Sequence, residues 1–108
     1  MARDITGLEF AVLVTVARLG ADAYGAAVRR ELNAREGREY SIGAVYTTLQ
    51  RLEDKELLRS WADEPRAERG GRSRRYFALT RGGAAACRAA QARHERMWED
   101  LAIRWRAS

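Results

Sequence analysis

Apolar residues recur along the first half of this chain with the spacing of helices. Ile5, Leu8, Phe10, Val12, Leu13, Val16, Ala17 and Leu19 form a broad helical stripe over residues 5–19, which Gly20-Ala21-Asp22 interrupts. Tyr24, Ala27, Val28 and Leu32 mark a second helix from Tyr24 to about Glu36, and Gly37 stands in the usual C-terminal position to end it. Ser41 suits the N-cap of a third helix, because its hydroxyl accepts from a free backbone N–H. Behind it, Ile42, Val45, Leu49 and Leu52 share one face and are expected to be buried.

The pattern then changes. Leu57 to Ala62 and Arg74 to Leu79 read as two short strands, the second alternating only imperfectly. The connection from Asp63 to Gly71, with Pro65 and the Gly70-Gly71 pair, is too long for a tight hairpin and predicts a mobile surface loop. Thr80 suits the cap of a last helix running to about Arg106. At ~1.5 Å per residue that helix would be roughly 39 Å long, more than a small domain needs for its own core. The expected fold is mainly α with a small β-hairpin. It is a winged helix-turn-helix over residues 1–80 followed by a long C-terminal dimerisation helix over residues 81–108.

Composition narrows the function. The 108 residues suit one domain, and 46% hydrophobic with 32% charged residues describes a globular chain. The longest apolar stretch, around Phe10 to Val14, is far too short to span a bilayer. Arg3, Asp4 and Glu9 around a helical pattern are unlike a secretory signal, so a cytoplasmic protein without a membrane partner is expected. The single cysteine, Cys87, excludes an internal disulfide, and with the single histidine, His94, it leaves no metal site; no cofactor is expected. Cys87 lies in an alanine-rich run and reads as a buried, inert thiol rather than a redox switch. No nucleophile–base pair, paired catalytic carboxylates or phosphate-binding glycine loop is present, so an enzyme is not expected.

The net charge of +5 favours an anionic partner. The cations are almost all arginine, Lys55 being the only lysine, and arginine suits bidentate phosphate and guanine contacts. Arginine- and alanine-rich composition also follows from genomic base composition, so charge alone does not decide the partner.

The third helix does more. Opposite its apolar face lie Gly43, Ala44, Thr47, Gln50 and Arg51, with Thr48 near the edge. Small residues near the start let the backbone approach a groove floor. Thr47 and Gln50 can meet base edges, and Arg51 can reach a guanine or a phosphate. Tyr46 lies between the faces, either donating to a phosphate or closing the core. Arg69-Gly70-Gly71-Arg72-Ser73-Arg74-Arg75 places four arginines where the backbone fits closely against a duplex, a wing for phosphate contacts. Asp63, Glu64 and Glu68 dilute the charge at its base, either steering the tip or repelling DNA locally.

Tyr24-Gly25, the run from Gly43 to Glu53 and the run from Gly70 to Thr80 together resemble the PadR family of bacterial transcriptional regulators. The length is similar to its short subfamily, which has a single C-terminal helix. The resemblance implies a homodimeric winged-helix repressor of double-stranded DNA, with the third helix as recognition helix and Arg72 to Arg75 as wing. The expected DNA-binding residues are Tyr24, Ser41, Gly43, Ala44, Tyr46, Thr47, Thr48, Gln50, Arg51, Arg72, Arg74 and Arg75. Two departures stand out. Glu56 occupies a place where the family often has glycine, which implies a different turn into the hairpin, and Arg81-Gly82-Gly83 implies a looser hinge before the last helix.

The last helix points to a dimer independently of the family. His94, Trp98, Leu101 and Trp105 recur at intervals of four and three residues, with Met97 beside them, a stripe wide enough to pack on a second copy. A two-fold dimer would space two recognition helices about one DNA turn, ~34 Å, for a palindromic operator. Several family members respond to phenolic or drug-like molecules, and short ones hold flat aromatic drugs in a pore at the dimer interface. By that resemblance a small aromatic ligand would meet His94 and Trp98, with Phe10 and Leu13 as neighbours; the other reading makes the tryptophans the core of the dimer. Trp61 reads as hairpin packing against Tyr76. The rival to a DNA-binding regulator is a winged-helix protein-interaction module, whose helix and wing bind another protein.

Overall fold

The computed structural model describes residues 4–103. Helix α1 (Gly7–Leu19) opens with a reciprocal cap: the Thr6 hydroxyl accepts from the Glu9 N–H, and the Glu9 carboxylate accepts from the Thr6 N–H. A short 3-10 turn at Gly20–Asp22 leads to α2 (Gly25–Glu36), which Gly37 ends in the left-handed conformation. The turn beyond it is pinned by one side chain. Asn33 accepts from the Tyr40 N–H and donates to the Tyr40 carbonyl, which also accepts from Arg29. Helix α3 (Ile42–Asp54) then starts at Ser41, whose hydroxyl accepts from the Ala44 N–H at 3.0 Å.

Strands β1 (Leu58–Ala62) and β2 (Arg75–Leu79) pair antiparallel, with Trp61 opposite Tyr76 and Ser60 opposite Phe77. The connection between α1 and α2 adds a one-residue third strand. Tyr24 bridges Tyr76, and the Phe77 N–H donates to the Ala23 carbonyl at 2.8 Å. The inward residues of this sheet, Leu58 and Phe77, close a core built by Val12, Leu13 and Val16 of α1, Val28 and Leu32 of α2, and Val45, Leu49 and Leu52 of α3. At roughly 1.5–3 kcal/mol for each large apolar side chain buried, this cluster is the principal force holding the three helices to the hairpin.

Two positions on α3 depart from the sequence pattern. Ile42, expected inside, is 43% exposed, because it sits in the first turn ahead of the core. Thr48 takes an inward place instead, at 4% exposure, with its hydroxyl donating to the Ala44 carbonyl. The buried stripe is therefore Val45, Thr48, Leu49 and Leu52.

The turn after α3 keeps the shape a glycine would give it. Glu56 adopts φ 62°, a left-handed conformation that costs a side chain about 1 kcal/mol. The expected change of turn does not occur; the glutamate bears the strain. The expected loose hinge is absent too. Helix α4 (Arg81–Trp98) starts where the Thr80 hydroxyl accepts from the Gly83 N–H and donates to the Glu56 carbonyl, while the Thr80 N–H donates to the Leu57 carbonyl. Gly83 is buried so tightly that a Cβ there would overlap the Leu57 carbonyl oxygen. Its glycine serves a close approach, not freedom.

Helix α4 ends at Trp98, well short of Arg106, and Asp100 turns the chain away at φ 58°. Beyond Ala86 it contributes no fully buried side chain, so little tertiary contact holds its far end in a helix. Leu101 thus lies past the helix and off the expected stripe, and Trp105 lies outside the described residues. Among the described residues no helix is long and apolar enough to cross a membrane, and no group of His, Cys, Asp and Glu is placed to hold a metal.

Candidate nucleic-acid interface

The outer face of α3 is open. Gly43, Tyr46, Thr47, Gln50 and Arg51 are exposed, Ala44 is half-buried, and the core behind them fixes the helix. A Cβ on Gly43 would meet nothing nearer than the Ser41 hydroxyl at 4.0 Å, so the helix start presents bare backbone. Gln50 donates to Asp54 at 3.0 Å and must turn from it to read a base. Ser41 spends its hydroxyl on the cap and offers a partner little beyond its backbone. Thr48 has no access to a groove, and the DNA contact expected of it is withdrawn: its hydroxyl is buried and satisfied within the helix.

Tyr46 joins this face to the start of α2. Its ring and hydroxyl lie across Gly25, where a Cβ would overlap them, so Tyr24-Gly25 is a geometric unit: glycine admits the tyrosine of the neighbouring helix. Of the two alternatives for Tyr46, the ring stays 45% exposed rather than closing the core.

Next to Gly25, Tyr24 accepts a hydrogen bond from Arg30 at 3.0 Å, and the Arg74 guanidinium lies 4.0 Å over its ring. The Arg30 hydrogen bond, aided by the charges of Arg30 and Arg74, outweighs burial and holds the Tyr24 phenol below its ordinary value, making it a better donor to an oxyanion.

The wing is more ordered than its composition predicts. Asp63 closes the hairpin: its carboxylate accepts from the Arg74 N–H at 2.6 Å and from Arg69 at 3.0 Å, and its own N–H donates to the Arg74 carbonyl. The Arg74 N–H, against burial and with Arg69, holds the Asp63 carboxyl below its ordinary value. A 3-10 turn at Ala67–Arg69 and a bridge between Arg66 and Arg72 fold the loop onto itself. The four arginines expected on this loop are not equivalent. Arg69 is tucked against Asp63, Arg74 rests on Tyr24, and Arg75 donates to Ser60, leaving Arg72 as the outstretched cation. Asp63 organises the wing; Glu68 faces Arg66 at 3.8 Å.

Sequence reasoning missed three features here: the third strand at Tyr24, the role of Asp63, and a row of rings across the outer sheet face. Tyr24 meets Tyr76 edge-on at 5.8 Å, and Tyr76 stacks on Trp61 at 6.2 Å. Only the pairing of Trp61 with Tyr76 was legible, from the hairpin register.

At the other end of the molecule, an open groove of about 680 Å³ lies between the start of α1 and α4, lined among others by Ile5, Thr6, Phe10, Ala90, His94 and Met97. Of the residues expected at a pore between subunits, Phe10 and His94 lie along this groove of the single chain. Leu13 is fully buried in the core, and Trp98 lines a separate open depression with Glu95 and Glu99. The Trp98 indole N–H donates to His94 Nε2 at 3.3 Å. Cys87 is half-buried, and burial pushes its thiol up, consistent with an unreactive group.

Residues 12–89 match the model of the transcriptional regulator PadR-like family. Several solved structures share the fold. RosR of H. salinarum is 27% identical at a TM-score of 0.67, over 94% of this chain and 84% of its own. A PadR family transcriptional regulator from Eggerthella lenta is 27% identical at a TM-score of 0.65, over 80% of this chain and 72% of its own. MarR of E. coli is 26% identical at a TM-score of 0.62, over 93% of this chain and 69% of its own. No curated protein sequence matches significantly.

Proposed function

The chain belongs to the PadR-like family of transcriptional regulators, and from that premise we propose that it is a homodimeric, sequence-specific DNA-binding repressor. The observation that carries this reading is the outer face of α3: exposed Gly43, Thr47, Gln50 and Arg51 on a capped helix whose opposite side is locked into the core. Thr47 and Gln50 meet base edges in the major groove, Arg51 reaches a guanine or phosphate, and Tyr24, Tyr46 and Arg72 hold the adjacent backbone.

The second copy is supported by apolar exposure beyond the core. Met97 is 77% exposed, Trp98 51% and Leu101 56%, within five residues of one another, a liability on a monomer. Packing α4 on its two-fold mate covers them and closes the groove at Phe10 and His94 into a chamber between subunits. A flat aromatic ligand stacking there changes the spacing of the two α3 helices, and release follows when both half-sites can no longer be met together.

A gel-shift titration tests the reading, using DNA upstream of the protein's own gene with a scrambled fragment as competitor. At ~150 mM salt the Debye length of ~8 Å suppresses loose charge attraction. A competitor-resistant shift with two chains per duplex is expected. Equal, salt-sensitive binding to both fragments would leave the protein-interaction module as the better account.

A further inference from the structure

The face of the sheet turned away from the core carries a row of rings and arginines of which the reading above uses only Tyr24. Tyr24, Tyr76 and Trp61 stand side by side across three strands, because Tyr24 bridges Tyr76 and Tyr76 pairs with Trp61. Side chains alternate along a strand, so Arg59 and Arg74, each two residues from a member of the row, share its face. Arg59 lies 4.9 Å over the Trp61 ring, and Arg74 and Arg30 lie 4.0 and 5.8 Å from the centre of the Tyr24 ring. Among the described residues none of these three arginines is in an ion pair. The nearby Asp63 carboxylate is committed to Arg69 and to the Arg74 backbone.

Stacking uses the flat face of a guanidinium and leaves its N–H edge free for a bidentate oxyanion. The Trp61 and Tyr24 rings thus hold Arg59 and Arg74 in place, and the Tyr24 hydroxyl, accepting from Arg30 at 3.0 Å, holds the third, lowering the entropy lost when an anion is gripped. The row spans two strand spacings, roughly 10 Å. Measured along the duplex axis, that length carries about three phosphates of one strand. One end is continuous with the recognition surface, since Tyr46 of α3 lies across Gly25, next to Tyr24.

We propose that this arginine-on-aromatic face is a second DNA-binding surface, which grips the phosphate backbone flanking the operator without reading its sequence. It rests on the DNA-binding reading above but needs no operator to be tested. Arg59, at the far edge of the row, was not among the residues expected to touch DNA, and it is the sharpest probe because it is exposed and its guanidinium lies over the Trp61 ring.

The test is fluorescence anisotropy on a scrambled duplex of about three helical turns (~30 base pairs), titrated across ~50–200 mM salt. Arg59→Gln is expected to lower the slope of log affinity against log salt by roughly 0.9, and to weaken binding about threefold to fivefold at the upper salt. Trp61→Leu keeps every charge, so the slope should hold while affinity falls, the arginine having lost its rest. Arg88→Gln on α4 serves as the control cation and should leave the slope unchanged. An unchanged slope in Arg59→Gln overturns the proposal and assigns the face to another partner. The same holds if Arg59→Gln weakens only a single strand of the same sequence. A failure of the regulator reading shows separately, as a wild-type protein that does not distinguish the upstream fragment from the scrambled one.

Discussion

Lys55 Nζ reaches both carboxylate oxygens of Glu9, at 2.8 and 3.0 Å, across 46 residues of sequence. Glu9 is 4% exposed and sits in the capping box of α1, while Lys55 caps the end of α3, so one ion pair ties the wall of the groove to the recognition helix. Lys55→Met would leave a buried carboxylate unpaired. A loss of about 2 kcal/mol is expected, below the roughly 3–5 kcal/mol of a fully buried pair because Lys55 is partly exposed. Thermal unfolding should show a fall in Tm of roughly 10 °C.

The same pair sets an acid sensitivity. Burial pushes the Glu9 carboxyl up, but the bonds from Lys55 and Thr6 win and hold it below its ordinary value. Folding therefore favours the ionised form. The contribution is full above the ordinary carboxylate pKa and is lost as pH falls through the lower folded value. Denaturant titrations from neutral to acid pH should show the wild type losing more stability in that window than Glu9→Gln/Lys55→Met. Parallel curves would mean that the pair does not govern the acid limb.

Adjacent glycines at the start of α4 should respond in opposite directions. A Cβ at Gly82 meets its nearest neighbours at 3.6 Å, so Gly82→Ala should stabilise by about 0.5–1 kcal/mol through the helix it extends. Gly83→Ala must displace the Leu57 backbone and should cost about 2 kcal/mol or more. Glu56→Gly removes the left-handed strain, offset partly by a freer unfolded chain, for a net gain of about 0.5 kcal/mol. Chemical denaturation of the three variants checks all of these signs.

The contact between Gly25 and Tyr46 predicts strong coupling. Gly25→Ala should cost about 1–3 kcal/mol in the wild type, because the tyrosine ring must leave its seat. In a Tyr46→Ala background the same change should be nearly neutral. A double-mutant cycle with additive effects would show that the ring does not rest on α2.

The elements were legible because their signals are local. Ser41, Thr80 and Gly37 fix helix ends through caps, and the strands begin one residue later than the pattern places them. Whatever depends on distant partners was not legible. Thr48 reads as an edge residue by polarity, yet a hydroxyl bonded to the carbonyl four residues back is tolerated inside. Arg69, Arg72 and Arg74 look equivalent along the chain, and only the positions of Asp63 and Tyr24 separate a tucked, a free and a stacked arginine. Nothing near Glu9 in the sequence marks it as buried, because its partner comes from the end of α3. The last helix continued on paper because Ala, Arg and Glu offer no stop signal, whereas in the fold it ends at Trp98, before Asp100 turns the chain.

The central claim is that α3 reads base pairs from a two-fold dimer, and selection from a random-sequence duplex library tests it most directly. The account predicts an enriched inverted repeat with half-sites centred about one helical turn apart, ~34 Å. Within each half-site the favoured bases should shift when Thr47→Val or Gln50→Ala is selected in parallel, by about 1–3 kcal/mol of discrimination at the affected position. An enriched motif unchanged by both substitutions, or no enrichment at all, would contradict it.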